Sequence, residues 1–144
     1  MFNFEPTRDF TRVHNAIFTL YTRLPDFKSS HAMLYVYLMA RSNPQYGYAF
    51  PSTEDIALAL NCGINQVVSY KRVLKDYGLI VTKRHSTYGN DMYYVKPPIT
   101  EEAEFYGRFP EAREHYEKRS EQFAARKSKP EETEQKSIYD GINW

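Results

Sequence analysis

The stretch from Ser52 to Lys96 constrains this chain most. Within it the apolar period is helical, breaks briefly, turns helical again and then switches to strict alternation. Ser52 follows Pro51 and stands three residues before Asp55, the spacing at which two side chains and two backbone amides cap a helix start reciprocally. Ile56, Ala57, Ala59 and Leu60 supply the expected inward positions of that helix. Asn61-Cys62-Gly63 breaks it, with Gly63 expected in the left-handed conformation that glycine tolerates. A second helix begins at once, with Asn65 as its expected N-cap and Val67, Tyr70, Leu74 and Tyr77 as its inward stripe, and Gly78 closes it. Beyond Gly78 the run LIVTKRH alternates, a glycine-containing loop follows, and DMYYVK alternates again. That pattern predicts a two-stranded hairpin, ended by Pro97-Pro98, which can donate nothing to a ladder.

Two short helices joined by a tight turn and followed directly by a hairpin make a winged helix-turn-helix. In that arrangement the second helix presents its outer face to the major groove, and the hairpin lays side chains along a phosphate backbone. The charge distribution suits such a partner. Residues 1–64 hold five basic and five acidic side chains, residues 65–96 six and two, and residues 97–144 eight and eleven. A net charge of +1 for the whole chain therefore hides a basic middle segment, and a local field matters more to a polyanion than the overall balance.

The candidate base-reading and phosphate-binding residues follow from the helical wheel. Opposite the inward stripe lie Gln66, Ser69, Lys71, Arg72 and Lys75, with Asn65 at the start of the helix. Asn65, Gln66 and Ser69 occupy the first turns, where base edges are read, and Lys71, Arg72 and Lys75 suit phosphates. On the wing, Lys83, Arg84 and His85 end the first strand, and Tyr88 and Asn90 occupy the loop. Basic residues at helical spacing are by themselves usually a solvated face; the preceding turn and the following hairpin argue for DNA.

The string GYAFPSTEDIALALNCGINQVVSYKRVLKDYGLIV resembles the winged helix-turn-helix domain of bacterial, phage and plasmid replication-initiator-like proteins, including the amino-terminal region of DnaD-type replisome organisers. The resemblance rests on Phe50-Pro51-Ser52, Ile56-Ala57, Gly63, Val67, Leu74 and Gly78-Leu79-Ile80, with Ser30-His31-Ala32, Leu34 and Tyr35 matching the preceding helix. It implies double-stranded DNA binding in replication or in transcriptional control of a mobile element.

The remainder completes a mostly α fold with a small β-hairpin wing, a helical extension and a flexible tail. A hydrophobic share of 42% with 16% aromatics supplies enough apolar surface for a packed core. A helix from near Asn15 should stop before Pro25, and Ser29 or Ser30 should cap HAMLYVYLMARS. Residues 1–98 are expected to form the DNA-binding domain and 99–127 the extension, in which Thr100 caps a short helix and Pro110 opens a longer one reaching Lys127. The stripe Ala112, Tyr116, Phe123 and Ala124 fits either packing back on the amino-terminal helices or a homodimer contact. Residues 128–144 read as a flexible polar tail with an apolar tip of Ile138, Tyr139, Ile142 and Trp144, which fits docking on a replication or transcription protein, docking in a groove of the domain itself, or a simple disordered end.

Other chemistry finds little footing. Cys62 is the lone cysteine, expected as a packing residue, and His14, His31, His85 and His115 lie too far apart for metal-ligand spacing. No phosphate loop, nucleophile elbow or triad pattern is present, so no enzyme and no cofactor is expected. The amino terminus lacks a signal-peptide pattern, and Ala32–Ala40 is well short of the ~20 residues that span a bilayer, so a cytoplasmic, membrane-free setting is expected. The rival functions are an adaptor that contacts proteins alone, and RNA binding through exposed tyrosines, the latter disfavoured because most assignable tyrosines fall on inward stripes.

Overall fold

A computed structural model of the chain describes residues 8–128, so the expected tail and its tip, Ile138 to Trp144, lie outside the described residues. In chain order the elements are α1 (Ala16–Thr19), a 3-10 turn (Tyr21–Arg23), α2 (Ser29–Arg41), α3 (Thr53–Leu60), α4 (Ile64–Asp76), β1 (Ile80–Arg84), β2 (Asp91–Val95), α5 (Glu102–Arg108) and α6 (Pro110–Ser128). This is a mostly helical winged helix-turn-helix with a helical extension.

The helix starts show how local side chains settle the boundaries. Ser52 Oγ accepts from the Asp55 amide at 3.0 Å while Asp55 Oδ2 accepts from the Ser52 amide at 3.1 Å, the expected reciprocal cap. At α2 the cap lies at Lys28, one residue before the expected serines, because His31 Nδ1 accepts the Lys28 N–H at 2.8 Å. At α4 it is Gly63, not Asn65, since Gln66 Oε1 takes the Gly63 N–H at 2.8 Å and the helix begins two residues early. The left-handed residue of the turn is correspondingly Asn61 (φ 52°), and Gly63 is extended (φ −84°). Asn61 accepts that conformation because its short polar side chain tolerates it better than most. Further along, Glu101 rather than Thr100 precedes α5.

Gly78 is required where it stands. At φ 72° it turns the chain out of α4, so that the Leu79 amide caps back onto the Leu74 carbonyl at 2.9 Å and β1 starts immediately. The hairpin pairs Ile80 with Val95, Thr82 with Tyr93 and Arg84 with Asp91. A third strand-like piece joins it: Ala49 exchanges both backbone hydrogen bonds with Tyr93 at 2.9 Å, so the segment around Ala49 is an edge of the sheet.

One buried cluster runs from Ile17 and Leu20 through Leu34, Leu38, Ile56 and Leu74 to Ile80 and Tyr93, and it takes in Phe105, Phe109 and Ala112 of the extension. The Tyr21 ring lies 4.9 Å from Phe105, its hydroxyl accepts the Ile99 amide at 2.9 Å, and the Tyr77 ring meets Phe109 edge-on at 5.2 Å. The Tyr35 hydroxyl donates to the Lys96 carbonyl at 2.6 Å, and burial pushes its phenol up to about 12, which keeps it a donor. Along α6 the first turns pack back, through Ala112, through His115 Nδ1 2.9 Å from the Arg23 carbonyl, and through Tyr116, whose ring centre lies 4.0 Å from the Arg23 guanidinium carbon. From Tyr116 to Lys127 every side chain is exposed. Among the described residues no helix is long and apolar enough to cross a membrane, and no His, Cys, Asp and Glu cluster is placed to hold a metal ion.

Candidate nucleic-acid interface

α4 rests on α2, α3 and β1 through Val67, Val73 and Leu74, with Tyr70 and Tyr77 partly buried beside them. This fixes which residues face away. Asn65, Val68 and Arg72 follow one another at three- and four-residue spacing on the opposite side and are exposed, with Lys75 beside them and Ser69 half-buried at the margin. Val68 is 56% exposed; its apolar side chain gives no sign of a DNA contact in sequence, and its spacing between Asn65 and Arg72 is the available signal. A methyl-bearing side chain there can meet a thymine methyl group in a major groove. Gln66 is exposed, but its amide oxygen is occupied in capping Gly63.

Lys71 departs from its expected outward placement. Its ammonium lies 2.8 Å from Asp91 Oδ2 and 5.1 Å from the centre of the Tyr93 ring, and its side chain is 13% exposed. Burial works against the charge, but the hydrogen bonds to Asp91 and Tyr93 outweigh it and hold the lysine above its ordinary pKa. Lys71 is thus a cation committed to holding the helix against the wing. The wheel missed this because the partner is supplied twenty residues further along the chain.

At the wing tip, Arg84 Nε donates to the Gly89 carbonyl at 3.1 Å and the residue stays exposed. His85 Nδ1 accepts from the amides of Thr87 (3.1 Å) and Tyr88 (3.3 Å), its backbone amide donates to the Asn90 carbonyl at 2.8 Å, and its ring lies between Phe50 (4.8 Å) and Tyr88 (5.2 Å). These bonds give the loop a set shape. Tyr88 is 70% exposed at its end, and Lys83 Nζ sits 5.5 Å from the Tyr94 ring centre. The structure therefore brings Asn65, Arg72 and Lys75 onto one surface of the helix, gathers Arg84, His85 and Tyr88 at the tip, and withdraws Lys71 between the two. Three tyrosines outside the expected inward stripes, Tyr46, Tyr48 and Tyr94, lie on the outer side of the sheet.

A family model described as a helix-turn-helix domain matches residues 28–80, the span from the cap of α2 to the first residue of β1. Among solved structures, one described as the N-terminal domain of a DNA binding protein aligns with a TM-score of 0.53 and 18% identity, covering 77% of this chain and 95% of that one. Another, described as a Rep–DNA complex, aligns with a TM-score of 0.51 and 19% identity, covering 72% and 86%. No curated protein matches the chain. At these identities the likeness is one of fold, and the fold is a helix-turn-helix one.

Proposed function

We propose that this protein binds double-stranded DNA, with α4 in the major groove and the wing on the adjacent backbone, and that it serves replication initiation or transcriptional control of a phage or plasmid. The observation that carries the proposal is the exposed row Asn65, Val68 and Arg72 beside a hairpin whose tip presents Arg84. One row supplies a hydrogen-bonding amide, an apolar contact and a guanidinium, which are the groups that read base edges and phosphates. The match to a helix-turn-helix domain, and the fold shared with a protein seen bound to DNA, support it. Pairing of two chains would set two such helices on successive half-sites, and the mass of the DNA complex tests that. Binding without turnover is part of the proposal, and nuclease activity in the purified chain would count against it.

The test is a titration of the full chain against labelled fragments of its own genome at two salt concentrations. Each neutralised phosphate contributes about −0.9 to the slope of log affinity against log salt, so Arg72→Ala with Arg84→Ala should flatten the slope by about 1.8. An adaptor function is favoured by one observation, the exposure of Leu58 (81%) and Ile64 (45%) on the helix-turn-helix. Salt-insensitive or absent DNA binding would select it.

A further inference from the structure

The sheet of the wing has two faces, and the duplex-binding proposal uses neither fully. Residues paired across a ladder share a face, so Ile80, Thr82, Tyr93 and Val95 look toward the helices, where Ile80 and Tyr93 are buried. Val81, Lys83, Met92 and Tyr94 look the other way. Ala49, paired with Tyr93, is buried on the helix side, which sends Tyr48 and Phe50 to the outer side.

The rings on that outer face form a chain. Tyr46 lies 5.5 Å from Tyr48, Tyr48 lies 5.5 Å from Tyr94 and 6.4 Å from Phe50, and Phe50 lies 5.8 Å from Tyr88 at the tip. Tyr46 is 61% and Tyr88 70% exposed. Lys83 stands over Tyr94, whereas Arg84, paired with Asp91, belongs to the helix-side face. Residues 43–50 and 80–95 contain one acid, Asp91, and its carboxylate is bonded to Lys71 on the helix side. The outer face thus offers a row of rings with the Lys83 ammonium beside it and no opposing carboxylate.

We infer that this face binds single-stranded DNA, with bases stacked on Tyr48 and Tyr94 and the phosphate backbone passing Lys83. Aromatic rings stack any base, but only a base not held within a duplex can reach them, so the ligand is a single strand. The choice of DNA rests on the duplex-binding proposal: a strand released beside the site read by α4 would meet this face next. The two sites share the wing tip but differ in their anchors, Arg72 for duplex and Tyr48 with Tyr94 for the single strand.

The experiment is fluorescence anisotropy of the full chain with a labelled oligodeoxythymidine of about 12 nucleotides, within the site sizes of single-strand binders. Tyr48→Leu and Tyr94→Leu keep apolar bulk and remove the ring; Tyr46→Ala alters a side chain too exposed to matter for folding. Each leucine variant should weaken the single-strand complex about fivefold or more, Tyr46→Ala should weaken it less, and duplex affinity should hold in all three. Arg72→Ala should show the reverse. Unchanged single-strand affinity in the variants, equal binding of an abasic strand, tighter binding of oligouridine, or a dimer that the leucine variants dissociate in sedimentation would each overturn the inference. If a leucine variant unfolds by circular dichroism, Tyr46→Ala decides, and an affinity equal to the native chain's overturns it. Loss of duplex binding in the native chain, with ring-dependent single-strand binding kept, would remove the duplex proposal and leave this one.

Discussion

Lys71 and Asp91 join the helix of the helix-turn-helix to the second strand of its wing through a 2.8 Å ion pair, with the Tyr93 ring beneath the ammonium. Asp91 is one-third exposed, so solvent moderates the pair, and breaking it should cost roughly 1–2 kcal/mol. Lys71→Met is expected to lower stability by that amount in denaturant melts and to weaken duplex binding by loosening the wing. The slope of affinity against salt should stay as in the native chain, because Lys71 neutralises Asp91 rather than a phosphate. A slope flattened by about 0.9 would instead show Lys71 at the DNA backbone.

His31 should make stability depend on pH. It is 8% exposed, packed 5.9 Å from Phe27 and 5.0 Å from Tyr70, and its Nδ1 is committed as acceptor of the Lys28 amide. Burial disfavours the imidazolium; Asp26 and the Lys28 backbone pull the other way without reversing it, Lys28's charge adds to the lowering, and the pKa is below its ordinary value. The unfolded chain then takes up a proton at a higher pH than the folded one. Stability is fully present above about pH 6.5 and falls on acidification toward the folded pKa, with a slope of at most about 1.4 kcal/mol per pH unit. His31→Gln, which can accept the same amide as Gln66 does at Gly63, should keep the cap and remove the slope in thermal melts between pH 7.5 and 5. A slope that persists in that variant would assign it to other groups.

Ser52 and Asp55 cap α3 by two bonds that depend only on residues three apart. Ser52→Ala should cost about 1 kcal/mol, a fall of about 3–5 °C in Tm, while Ser52→Asp should cost little because its carboxylate accepts the same amide. Equal melting of Ser52→Ala and the native chain would show that packing of Ile56 alone sets the start of α3.

The sequence by itself determined what short-range chemistry decides. The Ser52 cap, the left-handed Gly78 that releases β1 and the change of apolar period at Leu79 each depend on residues within a few positions, so the helix-turn-helix and its wing were legible. Where two neighbours could do the same work the local signal was ambiguous. Asn61 and Gly63 both tolerate positive φ, and only the length of α3 packed on α2 and α4 chose Asn61.

Which side chains meet across the fold was left to tertiary structure. The Lys71 stem is long enough to point out to solvent or back to β2, and the hairpin register that puts Asp91 beside it decides between them. The same register, with Ala49 added at the edge, turns Tyr48 and Tyr94 outward together and Tyr93 inward. Helical and alternating periods reveal that a residue belongs to a face; only the pairing of distant segments settles what that face touches, because the partner's position is not encoded near the residue itself.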